Sequence, residues 1–344
     1  MKPLVTVLID TYNQERYIEQ AIVSVLEQDF PASNMEILVV DDGSTDRTPE
    51  IVRKFAPRVR LLRKKNGGQA SAFNAGFSES HGQLVAFLDG DDWFAPGKLR
   101  AVVDALEQEP DAAGVGHGYC EFHEATQETR ICAARETKFL NLKTEEAAHD
   151  ALLGWACLLT SAFTVRRKTL QKLMPIEESL LFCADAPIAL GAMADGARLL
   201  KEPLGYYRVH SDNLHAVDPK NIAKLRRKHE MNERMFQALE RQLARLGVAS
   251  ESIAALLYPP WTDTSRFNLR TYGGSRLHTL RTEMRSFRSE FRNPSLGYRL
   301  FKYAVVGGAT LALPPRQFYN ARDWYGRRNL GRLRDRLFKA GEAM

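Results

Sequence analysis

Three short, strongly hydrophobic segments near the N-terminus each end at an aspartate. The segments and their aspartates are residues 5–9 with Asp10, residues 36–40 with Asp41, and residues 84–88 with Asp89. Segments of this length that are rich in Val, Ile and Leu predict strands that are buried on both faces. This pattern constrains the fold more than any other feature of the chain.

Segments with helical spacing of apolar residues separate these predicted strands. They are residues 14–28, 45–55, 69–80 and 96–108, with a further short strand predicted at residues 59–62. Alternation of this kind predicts an α/β fold, with a mostly parallel sheet flanked by helices. Ligands bind such sheets at the carboxyl ends of the strands. We therefore expect the three aspartates to converge at one ligand-binding edge of the sheet.

The rest of the chain changes character twice. Residues 113–215 mix predicted strands at 114–122 and 161–165 with predicted helices at 145–153 and 185–196. From residue 221 the pattern is helical and basic, and we expect the prolines at 259–260 and 314–315 to interrupt it. The chain is therefore divided into residues 1–112, residues 113–215, and a helical, basic C-terminal extension at residues 216–344.

The net charge of +6 hides an asymmetry along the chain. Residues 264–344 contain 17 Lys or Arg residues but only 5 Asp or Glu residues, whereas the rest of the chain is mildly acidic. A basic extension predicts an anionic partner, and we favour an anionic membrane surface over nucleic acid. The aromatic and basic residues at 298–324 suggest an interfacial helix. A solvated helical face is the alternative explanation.

We predict a cytoplasmic protein, either free or attached to the inner face of the membrane. Hydrophobic residues make up 44% of the chain and charged residues 26%, which is ordinary for a globular protein. The four cysteines form no C-x-x-C pair and are expected to be free thiols. No segment has the length and apolar character of a signal peptide or a membrane span.

The run Asp89-Gly90-Asp91-Asp92 offers carboxylate oxygens at the end of a buried strand. Carboxylates are the ligands that Mg²⁺ and Mn²⁺ prefer, and such a cation neutralises charge on a diphosphate. The glycine lets the main chain approach a ligand closely. Acidic turns are common, so this run on its own is a weak signal.

Four sequence motifs, in a fixed order along the chain, strengthen the interpretation of this acidic run as a metal site. They are Val-Leu-Ile-Asp-Thr-Tyr-Asn at 7–13, Val-Val-Asp-Asp-Gly-Ser-Thr-Asp at 39–46, Asn-Gly-Gly at 66–68 followed by Asn-Ala-Gly at 74–76, and Phe-Leu-Asp-Gly-Asp-Asp at 87–92. The chain thereby resembles the family-2 inverting glycosyltransferases, which have the GT-A (Rossmann-like) fold. The resemblance is strong over residues 4–110, weaker over residues 111–215, and hardly extends beyond them.

The resemblance implies transfer of a sugar from a nucleotide-diphosphate donor, with a UDP- or dTDP-sugar favoured, to a glycan or lipid-linked acceptor in cell-surface polysaccharide synthesis. The implied donor-binding residues are Asp10, Thr11, Tyr12, Asp42, Gln69, Asn74, Asp89, Gly90 and Arg208. The implied ligands of Mn²⁺ or Mg²⁺ are Asp91, Asp89 and His210. Asp10 stands where the family usually has proline. For Asp42, Gln69 and Asn74, turn formation or helix capping is the alternative role.

Inverting transfer also requires a base that deprotonates the acceptor hydroxyl. In the family this is usually the aspartate of a Glu-Asp pair at the start of a helix. Asp185 matches that position, although Ala184 replaces the glutamate and Pro187 follows closely. We therefore predict Asp185 as the catalytic base, and a helix N-cap is compatible with that role.

Three other readings remain. A nucleotidyltransferase would need a glycine-rich, basic turn after the first strand, where this chain has Asp10-Thr11-Tyr12. A membrane-embedded synthase would need several spanning helices. A nucleotide-sugar-binding scaffold with weakened catalysis is favoured only by the missing glutamate before Asp185. The sequence does not indicate an oligomeric state.

Overall fold

The first hydrophobic segment forms the centre of a parallel sheet. Strand β1 (Val5–Thr11) lies between β2 (Met35–Asp41) and β4 (Leu84–Asp89), and both run parallel to it. Strand β3 (Arg60–Arg63) continues the sheet beyond β2, again in parallel. Nearly all residues of β1 and β4 are buried, as expected for strands covered on both faces. The predicted parallel α/β sheet is confirmed. The computed structural model describes residues 3–143, 159–211, 213, 221–290, 308 and 312–314.

Helices connect these strands and cover the sheet. They are α1 (Ile18–Leu26), α2 (Thr48–Arg53), α3 (Gln69–Glu79) and α4 (Lys98–Gln108). Apolar residues of α1 and α4 join those of the strands in one hydrophobic core. Burial of this apolar surface fixes the strands against the helices, so that the loops at the carboxyl edge of the sheet are held on a rigid base.

The first two helices are shorter than their apolar spacing predicts. The main-chain amides of Gln14 and Glu15 donate to the side chains of Thr48 and Asp46, at 2.9 and 3.0 Å. Asp46 also accepts from the main-chain amide of Thr48. These hydrogen bonds compete with helix formation on both sides, and they tie the loop after β1 to the loop after β2.

A second set of strands extends the sheet in a mixed arrangement. Its strands are β5 (Trp93–Phe94), β6 (Gly114–His123), β7 (Glu128–Cys132), β8 (Lys138–Leu140), β9 (Phe163–Arg166) and β10 (Ala197–Val209). The strand order is β3-β2-β1-β4-β9-β6-β10-β5, with β7 paired to β6 and β8 paired to β10. Strand β9 is antiparallel to both of its neighbours, whereas β6 and β10 are parallel to each other.

Helices α5 (Arg167–Leu173) and α6 (Asp185–Asp195) belong to this second part. The predicted strand at 114–122 and the predicted helix at 185–196 are thus confirmed. The predicted helix at 145–153 lies outside the described residues. Cys120 and Cys132 carry free, partly exposed thiols.

The C-terminal helices are α7 (Ile222–Arg245), α8 (Ser250–Tyr272) and α9 (Arg276–Glu290). Helix α8 continues through Pro259 and Pro260, which we expected to interrupt it. Leu257 and Trp261 flank the prolines and are buried, and this packing offsets the missing main-chain donors.

The chain forms two compact units. The first comprises Met1–Asp218 and Glu230–Leu256, and the second comprises Pro219–His229 and Leu257–Met344. Within the described residues, no helix combines the length and hydropathy needed to cross a membrane. The predicted interfacial segment at 298–324 lies outside the described residues, apart from positions 308 and 312–314.

Candidate functional site

The aspartates that end the first three predicted strands meet at one edge of the sheet. Asp10 lies directly opposite Asp89 in the register of β1 and β4, and Thr11 lies opposite Asp41 in the register of β1 and β2. The main-chain amide of Asp42 donates to the main-chain oxygen of Thr11 at 2.9 Å. This edge holds the carboxyl ends of the parallel strands, where α/β sheets bind their ligands.

Three carboxylates after β4 form the acidic cluster, which comprises Asp89, Asp91 and Asp92. One oxygen from each lies within 4.8 Å of the others. Gly90 makes the close turn possible: its main-chain amide donates to the main-chain oxygen of Asp10 at 2.9 Å. A Cβ at position 90 would lie 2.7 Å from Oγ1 of Thr11, so a side chain there would force the two loops apart.

The acidic cluster and Asp10 are crowded and desolvated. Burial raises the pKa of Asp10 to about 7, and the negative charge of Asp91 acts in the same direction. Burial and neighbouring carboxylates also raise the pKa of Asp89 and of Asp92 well above the usual range. Oδ1 of Asp10 is buried without a hydrogen-bond partner. A set of hard oxygen donors that disfavour their own ionisation fits a divalent cation such as Mn²⁺ or Mg²⁺.

Asp91 accepts hydrogen bonds from residues of two distant segments. Its Oδ2 lies 3.0 Å from Nε2 of His210, 3.4 Å from Nε2 of Gln14 and 3.5 Å from Nδ2 of Asn213. The ring of His210 packs against that of Tyr17 at a centroid distance of 4.7 Å. The structure therefore brings two predicted metal ligands, Asp91 and His210, into direct contact.

Arg208, on β10, is buried beside the loop that carries Asp91 and Asp92. Its guanidinium lies 4.8 Å from the ring centroid of Tyr17 and 4.5 Å from that of Trp93. Its Nη2 donates to Oε1 of Gln20 at 2.5 Å, and its main-chain amide donates to Oδ1 of Asp92 at 2.9 Å. These contacts hold β10 and α1 against the acidic cluster.

The side chain of Asp42 organises the loop that precedes α3. It accepts from Nζ of Lys64 at 2.7 Å and from the main-chain amides of Gly67 and Gly68 at 3.0 and 2.7 Å. The carboxylate of Asp42 is buried, whereas Tyr12, on the loop after β1, is 46% exposed.

The two predicted donor contacts on α3 differ in their surroundings. Gln69 is the first residue of the helix, and its Nε2 lies 3.2 Å from Oδ1 of Asp89. Asn74 instead pairs with Ile176: its Nδ2 donates to the main-chain oxygen of Ile176 at 2.9 Å, and its Oδ1 accepts from the main-chain amide of Ile176 at 2.8 Å. This pairing gives Asn74 a structural role between α3 and the segment before α6.

Asp185 is the first residue of α6, with Ala184 at the N-cap position. Its Oδ1 accepts from the main-chain amide of Ala186 at 2.9 Å, and Oγ1 of Thr160 donates to its Oδ2 across 3.4 Å. Burial raises the pKa of Asp185 to about 6, against the opposing effect of these hydrogen bonds. A carboxylate with this pKa is ionised at neutral pH and remains basic enough to accept a proton.

Two hydroxyl residues that the sequence analysis did not single out belong to the site. Oγ of Ser161 donates to Oδ2 of Asp92 at 2.6 Å and accepts from the main-chain amide of Asp89 at 3.1 Å. Thr160 reaches both Gln69 and Asp185. Both hydroxyls lie in a 3-10 turn just before β9. The two hydroxyls reach the site because β9 pairs with β4, and no local sequence pattern indicates that pairing.

Comparison with known proteins is consistent with this arrangement. Residues 6–174 match the family described as Glycosyl transferase family 2. An uncharacterized glycosyltransferase of Nostoc is 34% identical over 217 residues, which cover 61% of this chain and 66% of the relative. The uncharacterized glycosyltransferase EpsJ of Bacillus subtilis is 27% identical over 258 residues, 71% of this chain and 70% of that protein. The chain thus spans about two thirds of the length of these relatives.

A relative with a named reaction matches a shorter part of the chain. The poly(ribitol-phosphate) beta-N-acetylglucosaminyltransferase TarS of Staphylococcus aureus is 38% identical over 107 residues, which cover 30% of this chain and 19% of TarS. A crystal structure of TarS residues 1–349 in complex with UDP superposes with a TM-score of 0.52 and 19% identity, covering 90% of this chain and 92% of that structure. This likeness confirms the GT-A fold.

Proposed function

Because residues 6–174 form a glycosyl transferase family 2 domain, we propose that the chain transfers a sugar from a nucleotide-diphosphate donor to an acceptor hydroxyl. One observation carries the proposal. Gln69 donates to Asp89 and to Thr160, and Thr160 donates to Asp185, so one chain of hydrogen bonds connects the acidic cluster to Asp185. In our proposal, the acidic cluster would hold the cation that binds the donor diphosphate, and Asp185 would accept the proton of the acceptor hydroxyl. Both groups would thus act at one bound sugar.

We favour a UDP- or dTDP-sugar as the donor. TarS, which is 38% identical over 107 residues, has also been crystallised with UDP-GlcNAc. In our proposal the loop Asp10-Thr11-Tyr12 and the Asp42 region bind the nucleoside, and Asp89 and Gly90 lie at the ribose and diphosphate. An imide face, as in uracil or thymine, presents both a donor and an acceptor to the Lys64–Asp42 pair.

Asp91 and Asp89 would hold Mn²⁺ or Mg²⁺, with His210 completing or supporting the site. When bound, the cation neutralises the charge that develops on the departing diphosphate. The chain's own residues prepare the site for it: Gln14, His210 and Asn213 orient Oδ2 of Asp91, and Ser161 with the amide of Arg208 holds Asp92. Asp92 is therefore assigned to support of the loop.

Asp185 would act as the base of an inverting transfer. Its carboxylate removes the proton from the acceptor hydroxyl while the hydroxyl oxygen forms a bond to the anomeric carbon. The bond from that carbon to the diphosphate breaks on the opposite face, so the product configuration is inverted. Burial and the raised pKa of Asp185 suit it to accept this proton near neutral pH.

The acceptor in this proposal is a glycan or a lipid-linked saccharide, and the basic extension brings the protein to an anionic membrane surface. The charge balance of residues 264–344 and the exposed side chains Leu277 and Arg281 of α9 support this assignment. Leu277 is 53% exposed and shares a helix face with Arg281, which combines an apolar with a basic contact.

A donor screen tests the proposed function. The purified chain is mixed with Mn²⁺ and a panel of UDP-, dTDP-, GDP- and CDP-sugars, and binding is followed by thermal shift and turnover by release of the nucleoside diphosphate. We expect a uridine or thymidine donor to stabilise the protein and to be hydrolysed slowly with water as acceptor. Nucleotide binding without turnover of any donor would favour the scaffold alternative, and absence of any nucleotide binding would refute the proposal.

A further inference from the structure

The carboxamide of Gln69 connects three segments that are far apart in sequence. Its Oε1 accepts from the main-chain amide of Ala184 at 3.0 Å. Its Nε2 donates to Oδ1 of Asp89 at 3.2 Å and to Oγ1 of Thr160 at 3.4 Å. The side chain thus lies between the end of β4 and the residue that immediately precedes Asp185.

Main-chain contacts dock the start of α3 on the same loop. The amide of Gln69 donates to the oxygen of Leu181 at 2.9 Å, and the amide of Ala70 donates to the oxygen of Leu180 at 3.4 Å. The first amides of a helix lack partners within the helix, so these loop carbonyls satisfy them. Gly68 permits the close approach: it has φ +85°, and a Cβ there would lie 2.7 Å from Cα of Leu181.

The loop that precedes the proposed base contains a strained residue. Cys183 has φ +61°, a left-handed conformation that is unfavourable for a residue with a side chain. Such a conformation persists only where neighbouring contacts hold it. The hydrogen bond from the Ala184 amide to Gln69 lies between this strained residue and Asp185, where it fixes the direction in which α6 begins.

We propose that Gln69 is a positioning residue that sets the place of Asp185 relative to Asp89, and that it does not bind the donor nucleotide. This inference rests on the proposed function. Both ends of the Gln69 amide are engaged by the protein itself. Placement matters for the reaction, because a shift of about 1 Å of a reacting group can cost about a hundredfold in rate.

Two substitutions separate the two ends of the amide. Gln69→Met keeps the length of the side chain and removes both the acceptor and the donor. Gln69→Glu keeps an acceptor for the Ala184 amide and removes the donation to Asp89. Ser78→Ala, at an exposed position on the same helix, is the matched control. Melting temperatures establish that each variant is folded.

The first measurement does not depend on activity. Hydrogen–deuterium exchange of the Ala184 amide is followed in the nucleotide-free protein by overlapping peptides. We expect this amide to be protected in the wild type, in Ser78→Ala and in Gln69→Glu, and to exchange at least about tenfold faster in Gln69→Met, because only that variant lacks the acceptor. Unchanged exchange in Gln69→Met would overturn the inference.

The second measurement separates positioning from donor binding. With Mn²⁺ present, the Kd for UDP and the kcat for UDP release from UDP-GlcNAc, or from the best donor of the screen, are compared. We expect Gln69→Met to lower kcat at least about tenfold and to leave the Kd for UDP within about twofold. A loss of UDP affinity as large as the loss of turnover would make Gln69 a donor contact and overturn the inference. A wild type that binds no nucleotide would refute the proposed function, while the exchange result would still decide how the loop is held.

Discussion

Nε of Arg208 donates a hydrogen bond to the main-chain oxygen of Asp91 across 2.9 Å. The same guanidinium packs among the rings of Tyr17, Trp93 and Phe122, and the residue is only 7% exposed. To reach a diphosphate, Arg208 would have to leave these aromatic neighbours. The geometry favours a role in holding the Asp91 loop over the diphosphate contact that the sequence suggests.

Arg208→Lys therefore is expected to weaken metal binding. Lysine keeps the positive charge but loses the planar fork that serves Asp91 and Gln20 together. Removal of support from a metal ligand typically costs 10- to 100-fold in affinity, and we expect about tenfold for Mn²⁺, measured by electron paramagnetic resonance of free Mn²⁺. Arg47→Lys is the control, since that side chain is 80% exposed. Unchanged Mn²⁺ affinity combined with weaker metal-free UDP binding would support the diphosphate contact.

Asp91→Ala is expected to abolish the metal dependence of nucleotide binding. The variant loses the carboxylate on which Gln14, His210 and Asn213 converge. We expect the Mn²⁺ affinity to fall at least about tenfold and the thermal shift with UDP to become the same with and without Mn²⁺. Asp104→Ala, at an exposed position on α4, should behave as wild type. An Mn²⁺ affinity equal to that of the control would exclude Asp91 as a ligand.

Transfer is expected to fall in acid because Asp185 must be ionised to act as a base. Burial raises the pKa of Asp185 to about 6, so at pH 5 only about a tenth of the protein carries the basic form. At saturating donor and Mn²⁺, we expect kcat to drop about tenfold between pH 8 and pH 5. Asp185→Asn should bind UDP normally and lose turnover. Rates that stay constant down to pH 4.5, or an active Asp185→Asn variant, would remove the assignment.

The same carboxyl group should reduce stability at neutral pH. The folded-state pKa of Asp185, about 6, lies above the ordinary value of 3.8, so the folded protein holds the proton more tightly than the unfolded chain does. The tighter binding of this proton stabilises the folded state below pH 3.8, and this stabilisation is lost as the pH rises through 6. Asp185→Asn is therefore expected to be more stable than wild type by about 2–3 kcal/mol at pH 7.5 and by less than about 1 kcal/mol at pH 4. Equal free energies of unfolding by urea at pH 7.5 would contradict this.

The parallel half of the site could be predicted because its determinants are local. Each of Asp10, Asp41 and Asp89 follows a run of buried aliphatic residues, and parallel strands place their carboxyl ends together. The motif spacing was sufficient to anticipate contact of these residues. The helix that begins at Asp185 was predictable for the same reason, since the proline of its first turn and its apolar run are contiguous in sequence.

The supporting contacts could not be predicted, because they depend on pairings between distant segments. Strand β9 inserts antiparallel to β4, and only this pairing brings Ser161 to Asp92. Likewise, the fit of Arg208 among aromatic rings depends on the pairing of β10 with β5. The family resemblance placed Arg208 among the donor-binding residues, but an arginine at that position is equally compatible with a phosphate contact and with a buried support.

The exposed face of α9 is expected to bind anionic lipid. Leu277 and Arg281 are one helical turn apart, so they contact the same surface, and both are exposed. An exposed leucine beside an arginine suits the boundary between headgroups and acyl chains, and each basic residue contributes about 1 kcal/mol near an anionic surface.

We expect the protein to sediment with vesicles that contain phosphatidylserine at 50 mM salt and to be released at about 500 mM salt, where the Debye length falls to about 4 Å. The double variant Leu277→Ala with Arg281→Glu should bind at least about tenfold more weakly, whereas Arg100→Glu, an exposed charge reversal on α4, should have little effect. Binding that is absent at low salt, or that Arg100→Glu weakens as much as the double variant does, would show that α9 is a solvated face.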